Sequence, residues 1–180
     1  MQILLYIIFI RTFFLFDSSF YNISFESLEG NTISMSSFKG QRVLVFITDG
    51  TNPDIRHLSI TDSIIKADQV ITKVIIIPAI DLSADKNVFS SNKLITLFSA
   101  LEKKGVIVSK PGKVKKESKT DQHVLLQWLT DLSANGHFNR DVEKDGQVFM
   151  ISENGVLYGI HEKQLPASAI RKAMTRKIKE

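Results

Sequence analysis

Two uninterrupted runs of apolar and β-branched residues constrain the fold of this chain more than any other feature of its sequence. They are residues 42–48 (RVLVFIT) and residues 74–80 (VIIIPAI). A continuous apolar run suits a strand that is buried on both faces, as in a parallel sheet, because a strand with one wet face alternates in polarity. Pro78 lies near the end of the second run and favours a strand that stops there.

Turn and helix signals surround these two strands. Glycine-containing turns at residues 29–31 and 153–155 predict β-hairpins over residues 20–35 and 148–160. Apolar residues at helical spacing predict helices over residues 53–70, 91–104, 121–132 and 166–179. Asn52 and Pro53 suit the cap and the first position of the first helix, and residues 105–108 form a short extended piece. This order predicts an α/β domain with a mixed sheet flanked by helices.

The first 18 residues are a separate segment. Residues 1–16 (MQILLYIIFIRTFFLF) are almost wholly apolar, but the run is interrupted by Arg11 and is shorter than the roughly 20 residues of a membrane-spanning helix. We interpret it as an export signal, although no basic residue precedes it and Ser18-Ser19 is the only small-residue candidate for cleavage. A wrongly assigned start codon and a core strand or membrane-lying segment are the alternatives. We therefore expect residues 19–180 to form the domain of an exported protein, periplasmic or extracellular, with no membrane contact unless residues 1–18 are retained.

Composition excludes several kinds of site. The chain contains no cysteine, so it has no disulfide, no thiolate nucleophile and no Cys-ligated metal. Its four histidines lack the HxxxH and HExxH spacings of a local metal motif, and His123 is expected to pack or to cap locally. No aromatic residues interleave with the lysines of residues 103–119, so nucleic acid is not expected as a partner.

An ordered set of segments resembles the glutathione peroxidase branch of the thioredoxin-fold superfamily. Residues 19–46 (SFYNISFESLEGNTISMSSFKGQRVLVF) resemble the family's SFYDF-type opening, turn and first buried strand. The other resembling segments are DGTNPDIRHL (49–58), TKVIIIPAIDL (72–82), DQHVLLQWL (121–129), QVFMISENGVLYGI (147–160) and LPASAIRKAMTRKI (165–178). The resemblance covers residues 19–178 and implies a thioredoxin-like mixed sheet flanked by helices, with an N-terminal β-hairpin.

The resemblance implies a peroxidase site that this chain does not retain. Matching the family's CGLTPQYxxL to residues 49–58 places Asp49 at the position of the reactive cysteine or selenocysteine. A gap-free alignment from the preceding strand places Asn52 there instead. Neither side chain attacks a peroxide bond, and a carboxylate forms no sulfenic acid. The resolving cysteine of many family members is absent as well.

The other family site positions have also changed. The family's glutamine falls near Asp81, its tryptophan on Lys144 and its asparagine on Asp145. If the fold holds, Asp49, Asp81 and Asp145 approach one another at the carboxyl ends of adjacent strands, where sites in α/β sheets are commonly found. The hypothesis is a site for a hard cation, Ca²⁺ or Mg²⁺, which prefers oxygen ligands. The alternative is a set of separate, hydrated loop carboxylates.

These observations leave several hypotheses of function. The leading one is a glutathione-peroxidase-like domain that has lost peroxidase activity and acts as a non-catalytic binding or structural module, with no cofactor and an unidentified protein partner. The opposing hypothesis is an enzyme, either an oxidoreductase in the response to oxidative stress by family assignment or one that uses the aspartates for other chemistry. A third is a membrane-tethered interaction protein that retains residues 1–16.

Overall fold

The computed structural model describes residues 19–53, 72–83, 87, 89–162 and 166–175. Its strands are β1 (Ser24–Glu26), β2 (Thr32–Ser34), β3 (Arg42–Asp49), β4 (Thr72–Ala79), β5 (Ile107–Val108), β6 (Val148–Ile151) and β7 (Leu157–His161). β1 and β2 form an antiparallel hairpin, and the other five form one sheet in the order β5-β4-β3-β6-β7. β3 and β5 run parallel to β4, whereas β6 is antiparallel to β3 and β7. The predicted mixed sheet and N-terminal hairpin are therefore confirmed.

Helices flank the sheet. Those in the described residues are α1 (Ser91–Glu102), α2 (Val124–Thr130), α3 (Leu132–Asn135) and α4 (Ala167–Thr175), with short 3-10 segments at Phe20–Asn22, Met35–Phe38 and Lys116–Asp121. Most of the helix predicted over residues 53–70 lies outside the described residues, as does the segment 1–18. No helix within the described part of the chain is long and apolar enough to cross a bilayer.

The continuous apolar run of β3 reflects a core on each face of the sheet. Side chains at alternate positions, such as Val45, pack in one cluster with α2 and its Trp128. The intervening side chains, such as Phe46, pack in a second cluster with Phe98 of α1 and Ile170 of α4. Both faces of the strand are shielded from solvent, because every residue from 43 to 48 is buried. This is the arrangement that the sequence predicts.

The N-terminal hairpin attaches to the β5 edge of the sheet. Its turn contains Gly30 at φ +89°, a left-handed conformation that glycine adopts without steric cost. The Leu28 N–H donates to the Val108 carbonyl at 2.7 Å, and the Lys110 N–H donates to the Glu26 carbonyl at 3.0 Å. The short edge strand β5 is thereby covered by the hairpin.

The boundaries of β4 and of the helix predicted over residues 121–132 differ from the sequence prediction. β4 continues one residue past Pro78, whose carbonyl accepts from the Gly112 N–H at 3.0 Å. The helix predicted over residues 121–132 begins only at Val124, because the His123 side chain caps it by accepting from the Leu125 N–H. It ends at Thr130, because Asp131 is extended and its carboxylate caps α3 instead. Side chains that bond the backbone locally compete with a continuous helix.

Candidate functional site at the carboxyl ends of β3 and β4

The turn after β3 is built around Asp49. This residue is the last of β3 and lies in register with Ala79, the last residue of β4. Its carboxylate oxygen Oδ1 accepts from the Thr51 backbone N–H at 2.8 Å and from the Thr51 hydroxyl at 2.7 Å. Asp49, which the resemblance matches to the family's reactive cysteine, therefore serves as a turn-forming hydrogen-bond acceptor, a common role of aspartate.

Backbone bonds fix the rest of this turn. The Gly50 N–H donates to the Ala79 carbonyl at 2.8 Å, and the Gly50 carbonyl accepts from the Phe89 N–H at 3.0 Å. Thr51 is buried, whereas Asn52, the position given by the gap-free alignment, is exposed. The turn is thus tied both to β4 and to the segment that precedes α1.

Asp145 lies directly beside Asp49. Its carboxylate oxygen Oδ1 accepts from the Asp49 backbone N–H at 3.0 Å. The neighbouring Gly146 N–H donates to the Ile47 carbonyl at 3.0 Å, which brings this loop against the end of β3. Lys144, which the resemblance matches to the family's tryptophan, is exposed. The structure therefore brings two of the three predicted aspartates together.

Asp81 makes a different set of contacts. Its carboxylate accepts from the Val114 N–H, at 2.9 Å from Oδ1 and 3.1 Å from Oδ2, and from the Lys115 N–H at 3.1 Å. These bonds hold the lysine-rich segment of residues 110–119 against the end of β4. A second aspartate, Asp141, accepts from the Lys116 N–H at 2.9 Å in the same way. Asp81 is thus engaged with a segment more than 30 residues away in the chain.

No group of three or more histidines or carboxylates in the described residues has an arrangement suited to holding a metal ion. Asp49 and Asp145 are adjacent, and Asp81 bonds to the lysine-rich segment. None of these contacts tests cation binding directly, so the hard-cation site at Asp49, Asp81 and Asp145 stays a prediction. Calorimetric titration with Ca²⁺ and Mg²⁺, compared with an Asp49→Ala/Asp81→Ala double variant, tests it, and an absence of heat in the parent protein would rule it out.

Two further polar residues at this end of the sheet are buried, and no sequence motif predicts their burial. Gln147 is fully buried. Its side-chain amide donates to the Asp141 carbonyl and accepts from the Glu143 N–H, both at 3.0 Å, and so shapes the loop that carries Asp145. Thr48 is 2% exposed, and its hydroxyl has no hydrogen-bond partner. A buried hydroxyl without a partner is destabilising.

Known proteins with this fold include glutathione peroxidases and other redoxins. The structure is similar to the crystal structure of Trgpx in apo form, with a TM-score of 0.62 and 18% sequence identity over 87% of this chain and 93% of that one. It is similar to GPX1 of T. cruzi, with a TM-score of 0.64 and 14% identity over 87% and 94% of the two chains. The exposed lipoprotein thioredoxin Etrx1 of Streptococcus pneumoniae gives a TM-score of 0.52 and 18% identity over 84% and 96%.

The similarity at these identities shows the fold, which is thioredoxin-like as the sequence predicts. No protein-family profile matches the chain. No curated protein sequence matches it either. The solved structures thus support the expected architecture, and any statement about activity depends on the residues at the end of β3.

Proposed function

We propose that this chain is a glutathione-peroxidase-like domain that does not reduce peroxides and that acts as a binding or structural module. The absence of cysteine from all 180 residues is the observation that carries the proposal. Thiol-dependent peroxide reduction passes through a sulfenic acid on cysteine, and no other side chain of this sequence forms that intermediate.

The contacts of the aspartates support the proposal. Asp49 accepts two hydrogen bonds from Thr51, and Asp81 accepts from the backbone of Val114 and Lys115. Asp145 in turn accepts from the backbone of Asp49. Each carboxylate at a family site position therefore has a structural use, which gives a physical reason for its presence without any reaction.

A peroxide-consumption assay tests the proposal. The protein is incubated with hydrogen peroxide or an organic hydroperoxide, once with glutathione and glutathione reductase and once with thioredoxin and thioredoxin reductase. We expect consumption at the rate of the buffer in every combination, while an active glutathione peroxidase in parallel shows that each coupled system works. Turnover above the buffer rate would overturn the proposal. If the Asp49→Ala variant lost that turnover, the protein would be an enzyme that uses the Asp49 carboxylate.

We further propose that the protein is exported. The apolar run of residues 1–16 supports this, as does the similarity to a lipoprotein thioredoxin described as exposed. N-terminal sequencing of the natively expressed protein is the test. A mature chain that starts near Ser18-Ser19 is expected, whereas an intact N-terminus together with recovery in the cytosol would contradict export.

A further inference from the structure

A cavity of about 400 Å³ lies at the β5 edge of the sheet, and none of the residues that line it belongs to the candidate site described above. It is bordered by the turn of the N-terminal hairpin, the last turns of α1 and the edge strand β5, and it is open to solvent. Its volume falls within the range of about 300–1,000 Å³ that is typical of small-molecule sites. The cavity therefore has the size to hold a small ligand.

The walls of this cavity are mainly apolar. Ile33 of the hairpin and Ile95 of α1 line it, together with Val106 and Val108 at the β5 edge. The two valines are buried in the core, whereas the two isoleucines are half-buried. An aliphatic group in the cavity would cover the isoleucine side chains and would gain free energy in proportion to the apolar area removed from water.

Two carboxylates, Glu29 and Glu102, line the same cavity. Partial burial and the negative charge of Glu29 raise the pKa of the Glu102 carboxyl above its usual value. Glu29 accepts one hydrogen bond, from the Asn31 side-chain amide at 3.3 Å. Lys103 also lines the cavity, and its side chain is exposed. Glu29 is exposed and Glu102 is half-buried, and a cation close to both carboxylates would reduce the repulsion between their charges.

We propose that this cavity binds a small organic cation with an aliphatic body, of the alkylammonium class. The ammonium group lies between Glu29 and Glu102 and donates charge-assisted hydrogen bonds to them. The aliphatic body lies against Ile33 and Ile95. Charge complementarity and the limited volume favour a small amine over a larger anionic or neutral ligand. The proposal does not depend on whether the domain has peroxidase activity.

Binding of hexylamine to the full chain, measured by calorimetry and by NMR titration, tests the proposal. Hexan-1-ol is the control ligand, because it has the same aliphatic body without the charge. We expect hexylamine to bind at least about tenfold more tightly than hexan-1-ol. We also expect it to lower the pKa of the Glu102 carboxyl, because a bound cation favours the charged form.

Three charge-neutralising variants make the test specific. Glu102→Gln is expected to weaken hexylamine binding about fivefold to tenfold, because it removes a charged acceptor. Lys103→Gln is expected to strengthen binding, because it removes a nearby positive charge. Glu117→Gln, an exposed residue outside the cavity, is the matched control and should leave the dissociation constant unchanged.

Three outcomes would overturn the proposal. One is equal affinity for hexylamine and hexan-1-ol, which would show that the carboxylates do not contribute. Another is a Glu117→Gln effect as large as that of Glu102→Gln, which would show non-specific attraction to surface charge. The third is a lack of hexylamine binding. If a lysine-containing peptide bound in that case, the cavity would be a docking site for a protein segment.

Discussion

The ends of β3 and β4 are adjacent, and an aspartate at each end accepts hydrogen bonds from the backbone, yet the two aspartates act over different distances along the chain. Asp49 is the last residue of β3, and Asp81 lies two residues beyond the end of β4. Asp49 accepts from Thr51, two residues later in the same turn. Asp81 accepts from the backbone N–H groups of Val114 and Lys115, which are 33 and 34 residues later in the chain. The first aspartate shapes a local turn that short-range preferences also favour, whereas the second holds a distant segment in place. The comparison indicates that losing Asp81 should cost more stability than losing Asp49.

The largest expected effect is that of Asp81→Ala. This change removes the acceptor of the Val114 and Lys115 N–H groups, and we expect it to lower the free energy of unfolding by about 3 kcal/mol. Urea denaturation measures the change. Asp121→Ala, at an exposed aspartate in a surface ion pair with Lys113, is the matched control and should cost less than about 1 kcal/mol. A similar loss of stability in Asp81→Ala and Asp121→Ala would contradict the structural role given to Asp81.

Acid should destabilise the folded chain through His123, the residue that caps α2. Burial lowers the pKa of this imidazole from 6.5 to about 4 in the folded chain. Its Nδ1 accepts from the Leu125 N–H, and its ring packs against Phe25. The unfolded chain therefore binds more protons between these pKa values, so stability is complete above pH 6.5 and falls as the pH drops toward 4, by on the order of 2 to 3 kcal/mol.

Denaturation midpoints at pH 7.5, 6, 5 and 4.5 measure this loss. His123→Asn keeps a capping side chain without an ionisable group and should flatten the pH dependence over that window. If the slope between pH 6.5 and 4.5 is the same in the parent protein and in His123→Asn, the loss arises from another group.

Asp49→Ala should have a smaller effect than Asp81→Ala. It removes the acceptor of the Thr51 N–H and hydroxyl, and we expect a loss of about 1 to 2 kcal/mol, because the turn stays tied by the Gly50 bonds to β4 and Phe89. Asp49→Asn, which retains one acceptor oxygen, should recover most of that loss in the same denaturation experiment. A loss larger than that of Asp81→Ala would reverse the comparison.

The smallest effect is expected at Thr48 and has the opposite sign. Its buried hydroxyl has no partner, so Thr48→Val should raise the free energy of unfolding by about 1 kcal/mol. Thr51→Val is the matched control and should lower it, because the Thr51 hydroxyl donates to Asp49. Thermal melts of the two variants beside the parent protein should therefore shift in opposite directions, and a loss of stability in Thr48→Val would show that its hydroxyl has a partner in solution.

Short-range features of the fold could be read from the sequence. The apolar run of β3 predicted a strand buried on both faces, and Gly30 and Gly155 marked the two hairpin turns, where both take positive φ. The helix boundaries near residues 121–132 could not be read in the same way. Apolar spacing there continues through His123 and Asp131, whereas their side-chain bonds to the backbone decide where α2 begins and α3 starts.

The candidate site was predictable only in part, because it depends on contacts between distant residues. The ordered resemblance predicted Asp49, Asp81 and Asp145 together at one end of the sheet, and the structure places Asp49 and Asp145 side by side. The contacts of Asp81 with Val114 and Lys115 depend on the path of the lysine-rich segment, which no local pattern encodes. Gln147 likewise looks like an ordinary polar residue before a strand until its buried contacts are known.

The central proposal is that this thioredoxin-like domain does not reduce peroxides and that Asp49 and Asp81, at the ends of its strands, serve its structure. Its most direct test is the coupled peroxide-consumption assay on the parent chain, at protein concentrations high enough to detect turnover far below that of an active glutathione peroxidase. The account predicts a rate equal to that of the buffer with both glutathione and thioredoxin. A rate above that of the buffer that rises in proportion to protein concentration, and that Asp49→Ala abolishes while the variant remains folded, would contradict it.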